Sequence, residues 1–160
     1  MGGTQLYNAT QGTNLSKTVT GLPTDGRAVH VRLWSLSGST WLFNDYVYAT
    51  SSVPTLSIND VTVAEGNTGS SNATFTVSLA PAAGGTVTVA YATANGTAVA
   101  GSDYVTTTGT LTFTAGQPTQ TISVPINGDT TPEAAETFSV NLTSPTGGAL
   151  IGDAQGVGTI

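Results

Sequence analysis

The chain reads as all-β: an antiparallel Greek-key β-sandwich preceded by an incomplete β-sandwich segment. Three observations predict this. The composition is rich in Thr, Val and Gly, and 38% of residues are hydrophobic against 8% charged, which is enough apolar material for a core. Apolar residues alternate with small polar ones in short runs separated by Gly, Pro and Asn turns. No stretch carries a sustained helical period.

The runs beyond the polar joint "SSVP", Ser51 to Pro54, come at regular spacing. "TLSIN" and "VTVAE" form one strand, with a bulge expected near Asn59 and Asp60. "ATFTVSLA" puts Phe75, Val77 and Leu79 on one face, and "TVTVAYAT" does so with Val87, Val89 and Tyr91. "GTLTFTA" offers Leu111 and Phe113, and "TISVPI" offers Ile122, Val124 and Ile126. "TFSVNLT" offers Phe138, Val140 and Leu142, and "GVGTI" ends the run. Seven short strands over 53–160 suit one sandwich of the immunoglobulin-like kind. Residues 1–52 hold fewer strands: Lys17–Thr20, Arg27–Ser35, Trp41–Tyr48 and an optional fourth in "TQLYNAT". Val29, Val31 and Leu33 are expected to face a core whose other sheet is largely absent.

Charge excludes several functions. Lys17, Arg27, His30 and Arg32 all precede residue 54, and from Pro54 onward seven acids stand without any Lys, Arg or His. Such a module has no footprint for nucleic acid and none for an anionic membrane surface. Without cysteine there are no disulfides, thiolate metal sites or Cys nucleophiles. No apolar run reaches the roughly 20 residues of a membrane helix. The opening "MGGTQ" lacks the basic and apolar regions of a signal peptide, so an exported form would carry its signal outside this sequence. His30 is the only histidine and shares a strand face with Arg32 and Trp34, away from any nucleophile. With no Ser–His–Asp set, P-loop or dinucleotide-binding glycine pattern, an enzyme is not expected.

The acids themselves are distributed with a pattern. In an antiparallel sandwich each connection reverses the chain, so the loops after the first, third and fifth strands share one end with whatever follows the last strand. That rule brings Glu65, Asp103, Asp129, Glu133 and Glu136 to one end. Asp60 lies within the first strand and Asp153 at the opposite end, where turn or surface roles are expected. Several carboxylates without a cation repel, and are relieved by protonation, by spreading into water or by a bound cation. An all-oxygen cluster is the ligand set of Ca²⁺; zinc would want His or Cys, and Mg²⁺ a stricter octahedron. The ligands come from several loops, unlike an EF-hand.

At this point the motifs "SINDVTVAEGN", "VAYATANGTAVAGSDYVTTTGTLTFTAGQ", "TISVPINGD" and "ETFSVNLTSPTGGALIGDAQGVGTI" resemble a Calx-β domain from about Pro54 to Ile160. The resemblance implies a Ca²⁺ site whose carboxylates match Glu65, Asp103, Asp129, Glu133 and Glu136, joined by a backbone carbonyl near Thr131. It also implies depletion: Gly128, Thr130, Ala134 and Ala135 stand where strong binders carry further acids, and the acidic run that usually follows "GTI" is not present. One weakly held ion is therefore expected. "GLPTDG" followed by "VHVRLWS" resembles the end of a fibronectin type III domain, over Thr4 to Thr50.

Other readings stand beside these. "TTPEAAETF" suits a helical turn capped by Thr130, with Glu133 closing a capping box. Asp103 in "GSDY" suits an Asx turn, with Tyr104 packing on the sandwich edge. Trp34, Trp41, Phe43, Tyr46 and Tyr48 form the densest aromatic group, suited to packing, to an interface or to stacking on sugars. The expected function is a non-catalytic extracellular structural or adhesive module with a Ca²⁺-stabilised end. Its incomplete first segment is expected to self-associate, as a homo-oligomer or filament, through Val29, Val31 and Leu33. An accessory carbohydrate-binding module is the alternative.

Overall fold

The computed structural model describes residues 22, 27–49, 52–132 and 134–160. The chain divides into two compact units, Met1–Ser52 and Val53–Ile160.

In the first unit, strands β1 (Ala28–Ser37) and β2 (Thr40–Ala49) form an antiparallel hairpin. Gly38, at φ +63°, starts its two-residue turn, a position where a left-handed residue matches the twist of the strands. The strands run longer than their alternation indicates because this tight turn keeps the ladder paired to Ser37 and Thr40. The predicted strand Lys17–Thr20 and the optional one in "TQLYNAT" lie outside the described residues. Of the predicted core face, Val29 is buried and Val31 half-buried, but Leu33 is 56% exposed.

The five aromatics do not form one group. Residues paired across a ladder share a face, and the register sets Val29 opposite Tyr48 and Val31 opposite Tyr46. Trp34 opposite Phe43 and Leu36 opposite Trp41 fall on the other face, with the Arg32–Asp45 pair. Odd and even positions of a strand point apart, which divides what the linear sequence lists together.

The second unit is a sandwich. Its strands are β3 (Thr55–Ile58), β4 (Val61–Thr62), β5 (Ser70–Ala80), β6 (Val87–Asn95), β7 (Thr108–Phe113), β8 (Thr119–Asn127), β9 (Thr137–Thr143), β10 (Leu150–Ile151) and β11 (Gln155–Thr159). One sheet has the order β10-β3-β5-β8 and the other β4-β11-β9-β6-β7. The inward sets are those that alternation picks out. Phe75, Val77, Val87, Val89, Phe113, Ile122, Val124, Ile126, Phe138 and Val140 are at most 1% exposed. Each such burial stabilises by about 1.5–3 kcal/mol.

The expected bulge near Asn59 is instead a change of sheet. β3 runs antiparallel to β5 in one sheet, whereas β4 runs parallel to β11 in the other. Side chains replace the ladder at the crossing. Asn59 Oδ1 accepts the Thr76 N–H at 2.5 Å, and Asp60 Oδ1 accepts the Val157 N–H at 2.7 Å. A Cβ on Gly156 would lie 2.6 Å from the Asn59 carbonyl oxygen, so a side chain there would collide with the crossing strand. Asp60 is thus a structural acceptor. Asp153 holds the Gln155 N–H in a turn.

Candidate functional site

Three connections carry acids to the end of the sandwich where the described chain stops: 63–69, 96–107 and 128–136. Ile160 is tied there by two backbone hydrogen bonds with Glu136, Glu136 N–H to the Ile160 carbonyl at 2.8 Å and the reverse at 3.0 Å.

Asp103 is the buried polar residue among the described residues, 8% exposed. Its Oδ2 accepts the Val99 N–H at 2.6 Å, reaching back along its own turn instead of forward as an Asx turn would. This bond holds its carboxyl below the usual carboxylate range, against the opposing effect of burial and with smaller help from Ser102 and the Glu136 carboxyl group. Asp103 and Glu136 are therefore side-chain neighbours. The Tyr104 backbone joins the sandwich edge, bridging to Ile126 on the edge strand β8, while its side chain turns inward. It is 1% exposed, and its hydroxyl donates to Asn95 Oδ1 at 2.6 Å. Burial pushes its phenol pKa up.

Glu65 and Asp129 share an open cleft of about 380 Å³, with Asn67, Thr131, Ala134, Ala135 and Ile160 also on its walls. Asp129 Oδ1 accepts the Thr131 N–H at 2.6 Å, an Asx turn that takes the place of the helical turn read from "TTPEAAETF". No residue of 128–132 or 134–136 is helical, since Asp129 and not Thr130 does the local capping. Glu133 lies outside the described residues.

Two pairs thus stand at one end, Glu65 with Asp129 at the cleft and Asp103 with Glu136 beside it. Among the described residues no three acids or histidines close on a common point. The donors suit an oxygen-seeking cation in kind, being carboxylates and carbonyls with no nitrogen or sulfur ligand. Each of Asp103 and Asp129 also keeps one carboxylate oxygen that these backbone bonds leave out.

Two organising residues escape a reading based on acids alone. Asn127 donates its backbone N–H to the Asp103 carbonyl, and its amide to the carbonyls of Gly101 and Ser102. Asn95 receives the Tyr104 hydroxyl and the Ala100 N–H on one oxygen. Each Asn stands at a strand end before a Gly, which is the signal available in the sequence.

Fold and site together define an antiparallel β-sandwich with an acidic loop end. The family model for the Calx-beta domain matches residues 50–157, and the chain belongs to that family. It is similar to the Danio rerio "Adhesion G-protein coupled receptor V1", 43% identical over 68 residues, 42% of this chain and 1% of the receptor. Among solved structures it is similar to "CBD12 from CALX1.2", with TM-score 0.60 and 27% identity over 66% of this chain and 44% of that one. It is also similar to the "Apo-form Calx CBD1 domain", with TM-score 0.55 and 25% identity over 66% of this chain and 96% of that one. A third structure, "calcium binding domain CBD12 of CALX1.1", matches with TM-score 0.56 and 27% identity over 64% of this chain and 44% of that one.

Proposed function

We propose that this chain is a non-catalytic extracellular structural or adhesive module that takes up one weakly held Ca²⁺ ion at its acidic end. The observation that carries the reading is the pairing of Glu65 and Asp129 on one open cleft, in a unit with no cationic side chain. The reading adds Asp103 and Glu136 from the same end of the sandwich, with Glu133 and the Thr131 carbonyl, as further donors. The bound ion supplies charge neutralisation, which draws the three connections together beside Ile160 and stiffens the end of the unit. The calcium-binding description of one solved relative and the adhesion description of the receptor support the reading. A Kd on the order of 10⁻⁴–10⁻³ M suits an extracellular module. Isothermal titration with Ca²⁺, and melting with and without it, test this; no heat and no shift at millimolar Ca²⁺ would overturn it.

The hairpin supports a second role, self-association into an oligomer or filament. Its strands pair only with each other among the described residues, and Trp34, Trp41, Phe43 and Tyr48 are each at least 50% exposed. Open edges and apolar faces favour pairing with a second copy. A carbohydrate-binding role would instead use Trp34 and Trp41, which share one face. A glycan array with Trp34→Ala and Trp41→Ala separates the two roles.

A further inference from the structure

We infer that Asn127 and Gly128 are the positioning pair of the acidic end, and that Gly128 acts by lacking a side chain. Its consequence for affinity rests on the Ca²⁺ reading above; its geometry does not.

A Cβ built on Gly128 would lie 2.9 Å from the Gly66 carbonyl oxygen and 3.1 Å from that of Glu65. The backbone that carries Glu65 therefore rests directly on Gly128. The seat is fastened by the Gly128 N–H, which donates to the Gly69 carbonyl at 2.9 Å. Gly66 and Gly69, at φ +85° and +79°, give the 63–69 connection the left-handed bends that bring it down there. Ser71 Oγ donates to the Ala64 carbonyl at 3.3 Å and closes the loop on its other side. Asp129, the cleft partner of Glu65, is the next residue after the seat. The spacing of the two carboxylates is therefore set by how closely the Glu65 backbone approaches position 128.

Asn127 performs the matching task for the second connection. Its three hydrogen bonds reach the carbonyls of Asp103 at 2.9 Å, Gly101 at 3.2 Å and Ser102 at 2.9 Å. One dipeptide at the end of β8 thus fixes both other acid-bearing connections. This adds a packing role to the sequence reading of Gly128 as a lost ligand. Any side chain there, an acid included, has to lift the Glu65–Gly66 backbone first. Gly128 is not among the left-handed glycines, so alanine is permitted by its own backbone and the contact alone carries the cost.

The test uses the full chain with Gly128→Ala and Asn127→Ala, read by Ca²⁺ titration and by amide hydrogen exchange without Ca²⁺. Gly128→Ala is expected to weaken Ca²⁺ binding about 10-fold, as loss of an outer support does. It should speed exchange over 64–71 while β5 core amides such as Val77 exchange as before. Asn127→Ala should speed exchange over 99–104 instead. Wild-type affinity and wild-type exchange in Gly128→Ala would overturn the inference, and so would global unfolding of that variant, which would make the role one of the whole sandwich. If the unsubstituted chain gives no Ca²⁺ heat, the calcium reading fails, and the exchange pattern alone then decides the positioning role.

Discussion

The Tyr104 ring lies flat against Phe138, with ring centroids 4.5 Å apart and an interplanar angle of 19°. Phe138 in turn meets Phe75 edge-on at 5.9 Å. The acid-bearing turn is thereby plugged into the core by the residue that follows Asp103. Tyr104→Phe keeps the stack and removes one hydroxyl, while Asn95 Oδ1 retains the Ala100 N–H. It should cost about 0.5–1.5 kcal/mol. Tyr104→Ala opens a cavity against Phe138 and should cost about 3–5 kcal/mol. Urea unfolding of both variants measures the difference.

Asp103 predicts an acid limb in stability. Its folded pKa is depressed, first by the Val99 N–H, so the folded protein holds this group ionised where the unfolded chain would protonate it. The stability it contributes is full above the ordinary carboxylate pKa of about 3.9 and is lost as pH falls through the lower folded value. Asp103→Asn keeps an oxygen acceptor for Val99 but cannot titrate. Its melting temperature should fall less steeply than wild type between about pH 5 and about pH 2. Equal slopes would mean that other carboxylates carry the acid limb.

The strand crossing makes a separate prediction. Asp60 Oδ1 is the acceptor for the Val157 N–H where β3 gives way to β4. Asp60→Ala leaves that exposed N–H to water and should cost about 0.5–1.5 kcal/mol. Asp60→Asn keeps the acceptor and should cost less. Chemical denaturation of the pair tests whether the carboxylate serves geometry, as the acceptor role requires, or charge.

Legibility followed the range of the forces involved. Phe75, Val77 and Leu79, or Ile122, Val124 and Ile126, are readable because a buried strand face imposes a period of two on the sequence itself. The shared end of Glu65 and Asp129 is readable because reversal of an antiparallel chain is a counting rule. What distance in space decides was not readable. The sheet change at Asn59 depends on Thr76 and Val157, far along the chain, and an Asn-Asp pair looks equally like a bulge. Tyr104 alternates with nothing, so its burial against Phe138 left no periodic trace. The aromatics stand close together in the sequence, and only the β1–β2 register separates Trp34 and Phe43 from Tyr46 and Tyr48.

The hairpin face that holds Trp34, Phe43 and Trp41 should govern self-association. The Trp34 and Phe43 rings are 5.0 Å apart, and the Arg32 guanidinium stands 4.3 Å from the Phe43 centroid while forking onto Asp45 at 2.6 and 2.7 Å. The pair is solvent-exposed, so salt should screen it while leaving the aromatic contacts. Trp41→Ser should shift sedimentation toward monomer, and Tyr48→Ser, on the opposite face, should shift it less. Association that survives Trp41→Ser and dissolves in salt would assign the contact to charge.

Calcium removal should act on stability through mass action alone. For a Kd on the order of 10⁻³ M, about 10 mM Ca²⁺ stabilises the folded state by about 1.4 kcal/mol, from RT ln(1 + [L]/Kd). Chelation should reverse the gain. Asp129→Asn removes a charge from the Glu65 cleft but leaves an oxygen to cap the Thr131 N–H, so the Ca²⁺-free protein should keep its stability. The Ca²⁺-dependent gain, however, should shrink or vanish, and Glu65→Gln should do the same from the other side of the cleft. Melting curves of the three proteins with and without Ca²⁺ separate these effects. A full Ca²⁺ gain in both variants would move the ion away from this cleft, to the Asp103–Glu136 pair.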